Sequence, residues 1–144
     1  MYRVLVVDDI DDNAVFLQTL LETEGYAVET AAGGWAAIRQ IKACCPDLIL
    51  LDVMMPDMVG YEVIERVRTQ LKLSTVPVVL LTAYNDISRK EALEMGANFL
   101  MRKPIDNKSL LDCVKKLCDS ESHQQESHQQ ESHQQIAYSK ADVN

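Results

Sequence analysis

Nothing in this sequence approaches the roughly 20 consecutive apolar residues that cross a bilayer. The first apolar run, Val4-Leu5-Val6-Val7, is too short for the core of a signal peptide, and Asp8 and Asp9 interrupt it at once. Basic residues are also short: 14 Lys and Arg face 22 Asp and Glu, for a formal charge of −8. That deficit argues against a nucleic-acid surface, which needs a basic stripe to displace counterions from phosphates. It argues equally against docking on anionic lipid by charge. Only four Cys are present. Cys44 and Cys45 are adjacent, and Cys113 and Cys118 lie far downstream at a spacing unlike zinc pairs. They read as reduced thiols in a cytoplasmic chain, with a shared metal or redox site as the alternative. At 144 residues the chain has room for one domain, or one domain and a tail, and for a real core.

Composition changes near Asp119. His is absent before that point, and all three His residues (His123, His128, His133) sit in an identical repeat, Glu-Ser-His-Gln-Gln, at 121–125, 126–130 and 131–135. A five-residue step on an α-helix turns about 500°, so these His side chains fan around the axis, which weakens a metal-site reading. The repeat has no apolar residue with which to drive its own ordering. Residues 1–119 are therefore expected to form the folded domain, and 120–144 a mobile tail or a frayed helical extension. Too little chain follows residue 119 for a winged helix or an enzyme domain.

Within 1–119, strand and helix patterns alternate. Strands are expected at Val4–Val7, Tyr26–Ala31, Leu48–Leu51, Val78–Leu81 and Phe99–Met101. Helices are expected at Ala14–Glu24, around Ala36–Ile41, at Tyr61–Leu71, at Ile87–Met95 and around Leu110–Leu117, the last capped by Asp106. Strict alternation predicts an α/β fold, a five-stranded parallel sheet with helices on both faces. The nearly unbroken apolar strands fit, because central parallel strands are covered on both sides.

The strand ends carry the chemistry. The first ends in Asp8-Asp9, the third in Asp52 and the fourth in Thr82, and the fifth leads into Lys103-Pro104. Carboxyl ends of parallel strands share one edge, where ligands bind. Three carboxylates gathered there repel unless a cation intervenes, and Lys103 alone is insufficient. All-oxygen ligands point to a hard divalent ion, Mg²⁺ best. A carboxylate in such a site can attack phosphorus and form an aspartyl phosphate, with the metal, Lys and a hydroxyl holding the phosphoryl oxygens. Asp11 and Asp12 read as helix N-terminal acids. The Met residues read as packing or loop residues, and Trp35 as partly exposed.

The pieces Val7-Asp8-Asp9, Leu51-Asp52-Val53-Met54-Met55-Pro56 with Gly60, Val78-Val79-Leu80-Leu81-Thr82-Ala83, and Gly96-Ala97 followed by Lys103-Pro104 stand in order at family-like intervals. In these the chain resembles the receiver domain of two-component response regulators, of the stand-alone chemotaxis-regulator type, over about residues 2–118. The resemblance implies a flavodoxin-like (βα)5 fold with strand order 2-1-3-4-5. It implies that Asp52 is the phosphoacceptor, and that Asp9, Asp52 and the Met54 carbonyl bind Mg²⁺, with Asp8 acting through a coordinated water. Thr82 would bond a phosphoryl oxygen and shift inward, Lys103 would pair with the phosphate, and backbone amides near Met54 and Ala83 would complete the cradle. Pro104 is often cis in the family. A histidine kinase or a His-containing phosphotransfer protein would donate the phosphoryl group. The chain would then act on an unidentified downstream protein or pass the group onward, as a monomer or weak dimer.

Two positions depart from the family. The Tyr or Phe usual three residues before the Lys is Leu100, and Phe99 should face the other side of the sheet. Met54 and Tyr84, two residues after Asp52 and Thr82, carry no carboxylate, which implies slow self-dephosphorylation. Two rival readings remain at this level. One is a Mg²⁺ phosphohydrolase with an Asp nucleophile, which Met54 disfavours. The other is an interaction module that keeps only the fold.

Overall fold

The computed structural model describes residues 1–83 and 87–126. Tyr84, with the role the resemblance gave it, and the repeats from residue 127 onward lie outside the described residues.

The strands are β1 Arg3–Val7, β2 Ala27–Ala31, β3 Leu48–Asp52, β4 Val78–Thr82 and β5 Phe99–Arg102. The helices between and after them are α1 Asp11–Glu22, α2 Gly34–Ala43, α3 Gly60–Glu65, α4 Arg89–Glu94 and α5 Asn107–Glu126. All strand pairs are parallel, in the order β2-β1-β3-β4-β5. This is the architecture that the alternation and the resemblance implied.

Strand alternation sorts the core into two layers. Val4, Val6, Leu48, Leu50, Val79 and Leu81 face α1 and α5, where they meet Leu17, Leu21, Leu110 and Val114. Leu5, Val7, Ile49, Leu51, Val78, Leu80 and Leu100 face α2, α3 and α4, where they meet Ile38, Ile41, Val63, Ile64 and Ala92. Every residue of β3 and of β4 is buried, because helices cover both faces of these inner strands.

Helix bounds shift from the expectations: α1 spans Asp11–Glu22, so it starts three residues before Ala14, with Ile10 as its N-cap. The helix expected at Tyr61–Leu71 is α-helical only to Glu65, and Arg66–Gln70 then forms a π-turn. Leu71 N–H bonds Arg66 O at 2.9 Å across that wider turn. α4 begins at Arg89, later than expected, because Ser88 is its N-cap in a reciprocal box with Glu91. α5 runs on to Glu126, through the first Glu-Ser-His-Gln-Gln repeat. Its start is as expected: the Asp106 carboxylate accepts the Ser109 N–H at 2.9 Å.

Candidate functional site

Each chemical residue stands where an apolar strand runs out into a loop. Asp8 follows β1, Asp52 ends β3 and Thr82 ends β4. Lys103 follows β5, and its N–H bonds Thr82 O at 2.7 Å, which ties the two strand ends together. The parallel register therefore brings to one edge residues that are far apart in sequence. Asp8, Asp52 and Thr82 are buried, unusual for polar groups and a sign that something compensates them. The Lys103–Pro104 peptide bond is cis, the form the resemblance suggested.

Oxygen atoms of Asp8, Asp9 and Asp52 all lie within 4.8 Å of one another. Lys103 Nζ is 3.3 Å from Asp52 Oδ1 and 3.7 Å from Asp8 Oδ2. Asp8 Oδ1 accepts the Ile10 N–H at 2.9 Å, so Asp8 also shapes the turn into α1. Its Oδ2 is buried with no hydrogen-bond partner, because 3.7 Å to Lys103 is too long for one. A buried carboxylate oxygen in that state calls for a cation. Burial is the largest influence on Asp52 and pushes its pKa up. Lys103 opposes this through its charge and its hydrogen bond, while Asp8 and then Asp9 add to the rise. The donor set is all oxygen and carries three carboxylates against one ammonium, so the residues fit a hard divalent ion such as Mg²⁺.

Gly60 makes the floor of the site possible. A Cβ there would lie 2.8 Å from Asp52 O and 3.0 Å from Val53 Cα, too close for any other residue. The Gly60 N–H bonds Val53 O at 2.7 Å and folds the β3–α3 loop under Asp52. In that loop Met54 is half exposed, while Met55 and Met58 are buried. Ala83 is exposed at the end of β4. Leu100 is 6% exposed in the α2–α3–α4 layer, whereas Phe99 packs in the opposite layer, as strand alternation requires.

A residue not singled out in the sequence also builds this edge. The Asp57 carboxylate accepts the Gly34 N–H at 3.0 Å and the Trp35 N–H at 3.1 Å, capping α2 from the β3–α3 loop. Those amide bonds, Gly34's first, hold its pKa below the usual value. No local pattern announces the contact, because donor and acceptor are 23 residues apart.

Residues 4–115 match the family model for the response regulator receiver domain. The chain belongs to that family. It is 41% identical over 116 residues to the response regulator PleD of Caulobacter vibrioides, a match that spans 80% of this chain and 26% of PleD. A putative response regulator from Chloroflexus aurantiacus is 38% identical and superposes with a TM-score of 0.75, covering 81% of this chain and 96% of that structure. The chemotaxis protein CheY4 of Vibrio cholerae is 33% identical at a TM-score of 0.75, with 81% and 98% covered. Receivers are signalling phosphoacceptors rather than conventional enzymes, and they interact with histidine kinases and downstream targets. No helix among the described residues of this receiver is long and apolar enough to cross a membrane.

Proposed function

We propose that Asp52 accepts a phosphoryl group from the phosphohistidine of a sensor kinase or a His phosphotransfer protein. The observation that carries this reading is a buried carboxylate with one oxygen held by Lys103 at 3.3 Å, beside two further carboxylates. Lys103 fixes Oδ1 and leaves the other oxygen of Asp52 to attack phosphorus. The new P–O bond forms as the P–N bond to the donor imidazole breaks, and the imidazole nitrogen keeps that electron pair. Asp8, Asp9 and Asp52 would hold Mg²⁺, joined by the Met54 carbonyl, and the ion would neutralise charge on the transferring group. Lys103 would pair with the product phosphate, Thr82 would donate its hydroxyl to it, and the Met54 and Ala83 amides would complete the cradle. The protein would thus assist only its own phosphorylation and dephosphorylation.

The added charge is the signal. It draws on Thr82 and the chain that follows it, and alters binding of a downstream partner or supplies a later phosphotransfer. Leu100 is packed in the core and has no polar group to exchange between core and solvent. We expect its side chain to keep one rotamer when the site is loaded with beryllofluoride. A large Leu100 swing in that complex would overturn this part of the reading.

The deciding experiment labels the protein with acetyl phosphate and Mg²⁺, and separately with phosphorylated histidine donors, and follows intact mass. Wild type should gain one phosphoryl group and Asp52→Asn none. Equal labelling of the two would end the assignment.

A further inference from the structure

The β3–α3 loop, residues 53–59, carries Met54 past Asp52 and is fastened at two places. At its base the Gly60 N–H bonds Val53 O at 2.7 Å, and the Val53 N–H bonds Leu81 O of β4 at 3.1 Å. Further along, Asp57 Oδ1 accepts the Gly34 N–H at 3.0 Å and Asp57 Oδ2 accepts the Trp35 N–H at 3.1 Å. One oxygen serves each amide, so the carboxylate is oriented as well as held. These are charge-assisted bonds at the positive end of α2, the stronger kind. Met54 stands between the two fastenings.

The start of α2 is shaped to receive this loop. A Cβ on Gly33 would lie 2.8 Å from Asp57 Oδ1, and a Cβ on Gly34 would lie 2.6 Å from Met58 Cβ. The paired glycines therefore let the loop lie directly on the helix. Met55 and Met58 sink into the layer under α2 and α3, while Met54 stays half exposed. The other side of the seat is tied as well. The Arg66 guanidinium lies 4.7 Å from the Trp35 ring and bonds Gln70 at 3.2 Å and Glu62 of α3 at 3.5 Å. α2, the loop and α3 thus form a closed circuit of contacts. The Met54 carbonyl and amide belong to the backbone, so only what holds the chain on either side can place them.

We propose that Asp57 is a positioning residue for the metal site: seated on the Gly34 and Trp35 amides, it sets where the Met54 backbone stands and thereby how tightly Mg²⁺ binds. This rests on the reading above, which gives the Met54 carbonyl to the ion. Asp57 is not offered as a ligand, because both of its oxygens are taken by α2 amides. It acts through the loop. A helix cap alone would hold α2 and leave metal affinity untouched. A bare charge would act on the ion whatever the loop did. Three substitutions tell these roles apart. Asp57→Ala loses the charge and both bonds. Asp57→Asn loses the charge and keeps an oxygen for one amide. Gly34→Ala keeps the charge and pushes the loop off its seat through Met58.

Calorimetric titration of the full, unphosphorylated chain with Mg²⁺ measures the dissociation constant, with a thermal melt recorded for each variant. Asp57→Ala and Gly34→Ala should each bind Mg²⁺ about tenfold more weakly than wild type, and Asp57→Asn should stay within about threefold. A lower melting temperature with wild-type affinity in Asp57→Ala overturns the proposal and leaves Asp57 a helix cap. Asp57→Asn as weak as Asp57→Ala, or Gly34→Ala at wild-type affinity, overturns it in favour of charge. If Gly34→Ala does not fold, the Asp57→Ala titration is repeated in high salt, where the effect of an exposed charge is screened. A loss of affinity that persists there supports positioning, and one that vanishes overturns it. Labelling by acetyl phosphate keeps the two readings separate. If wild type binds Mg²⁺ and Asp52 takes no label, the phosphoacceptor reading fails and the dissociation constants still decide the role of Asp57. If wild type binds no Mg²⁺, the positioning role is overturned and labelling still decides Asp52.

Discussion

At the residue scale, the surroundings of Asp52 oppose its charge. Burial raises its pKa above that of an unfolded Asp, and this outweighs Lys103. A carboxyl with a raised folded pKa contributes stability at low pH and loses it as pH rises through the folded value. In Mg²⁺-free buffer at pH 7, Asp52→Asn should therefore melt higher than wild type. The gap should close as pH falls below the ordinary Asp value of about 3.9. Thermal melts across pH 3–8 read this directly, and a wild type more stable than Asp52→Asn at pH 7 would show that Lys103 dominates instead. The site residues Asp8, Asp9, Asp52, Thr82 and Lys103 were legible because each follows an unbroken apolar strand, so topology alone gathers them. Asp57 and Arg68 were not. Asp57 reaches Gly34 23 residues away and Arg68 reaches Gly96 28 residues away, and neither interrupts a local pattern. Trp35 shows the same limit. Its exposure was expected, but the Arg66 guanidinium stacked 4.7 Å from its ring, from the π-turn after α3, was not.

At the element scale, existence was easier to read than extent. Five strands and five helices follow from apolar periodicity, yet α3 stops at Glu65, where the chain widens into the π-turn. Nothing in Arg66-Val67-Arg68-Thr69-Gln70 breaks helical spacing. The cause is tertiary: Val67 is fully buried and Arg68 is anchored to Gly96 and Asn98. α2 offers a test of a cap supplied from elsewhere. Its preceding residue, Gly33, has no side chain to cap with, and Asp57 does that work from the β3–α3 loop. Asp57→Ala should cost about 1 kcal/mol in urea unfolding, trimmed by solvent exposure of the carboxylate. A change below about 0.3 kcal/mol, the scale of an inert surface substitution, would show that water caps the helix equally well. Gly60→Ala, whose Cβ would lie 2.8 Å from Asp52 O, should lose more than Asp57→Ala and should slow labelling as well. A labelling rate equal to wild type would show that the loop yields without moving Asp52.

At the scale of the whole molecule, the three acids and Lys103 leave the site short of positive charge, so ligand binding should be visible in global stability. At about 100-fold excess over its dissociation constant, Mg²⁺ should add about 2.7 kcal/mol to unfolding. Asp9→Asn should lose most of that gain while folding normally. Calorimetry with and without Mg²⁺ measures both, and an equal shift in the two proteins would place the ion elsewhere.

The parallel sheet has one further consequence, in time rather than in space. Asp8 is made early in synthesis and Lys103 some 95 residues later, with β3 and β4 between them. No hairpin or fragment holds the site, because its parts come from four strands that must all be in register. A nascent chain lacks Lys103 beside Asp52 until the fifth strand has docked. On the phosphoacceptor reading, acceptance of a phosphoryl group at Asp52 would therefore also report that these four strands are in register.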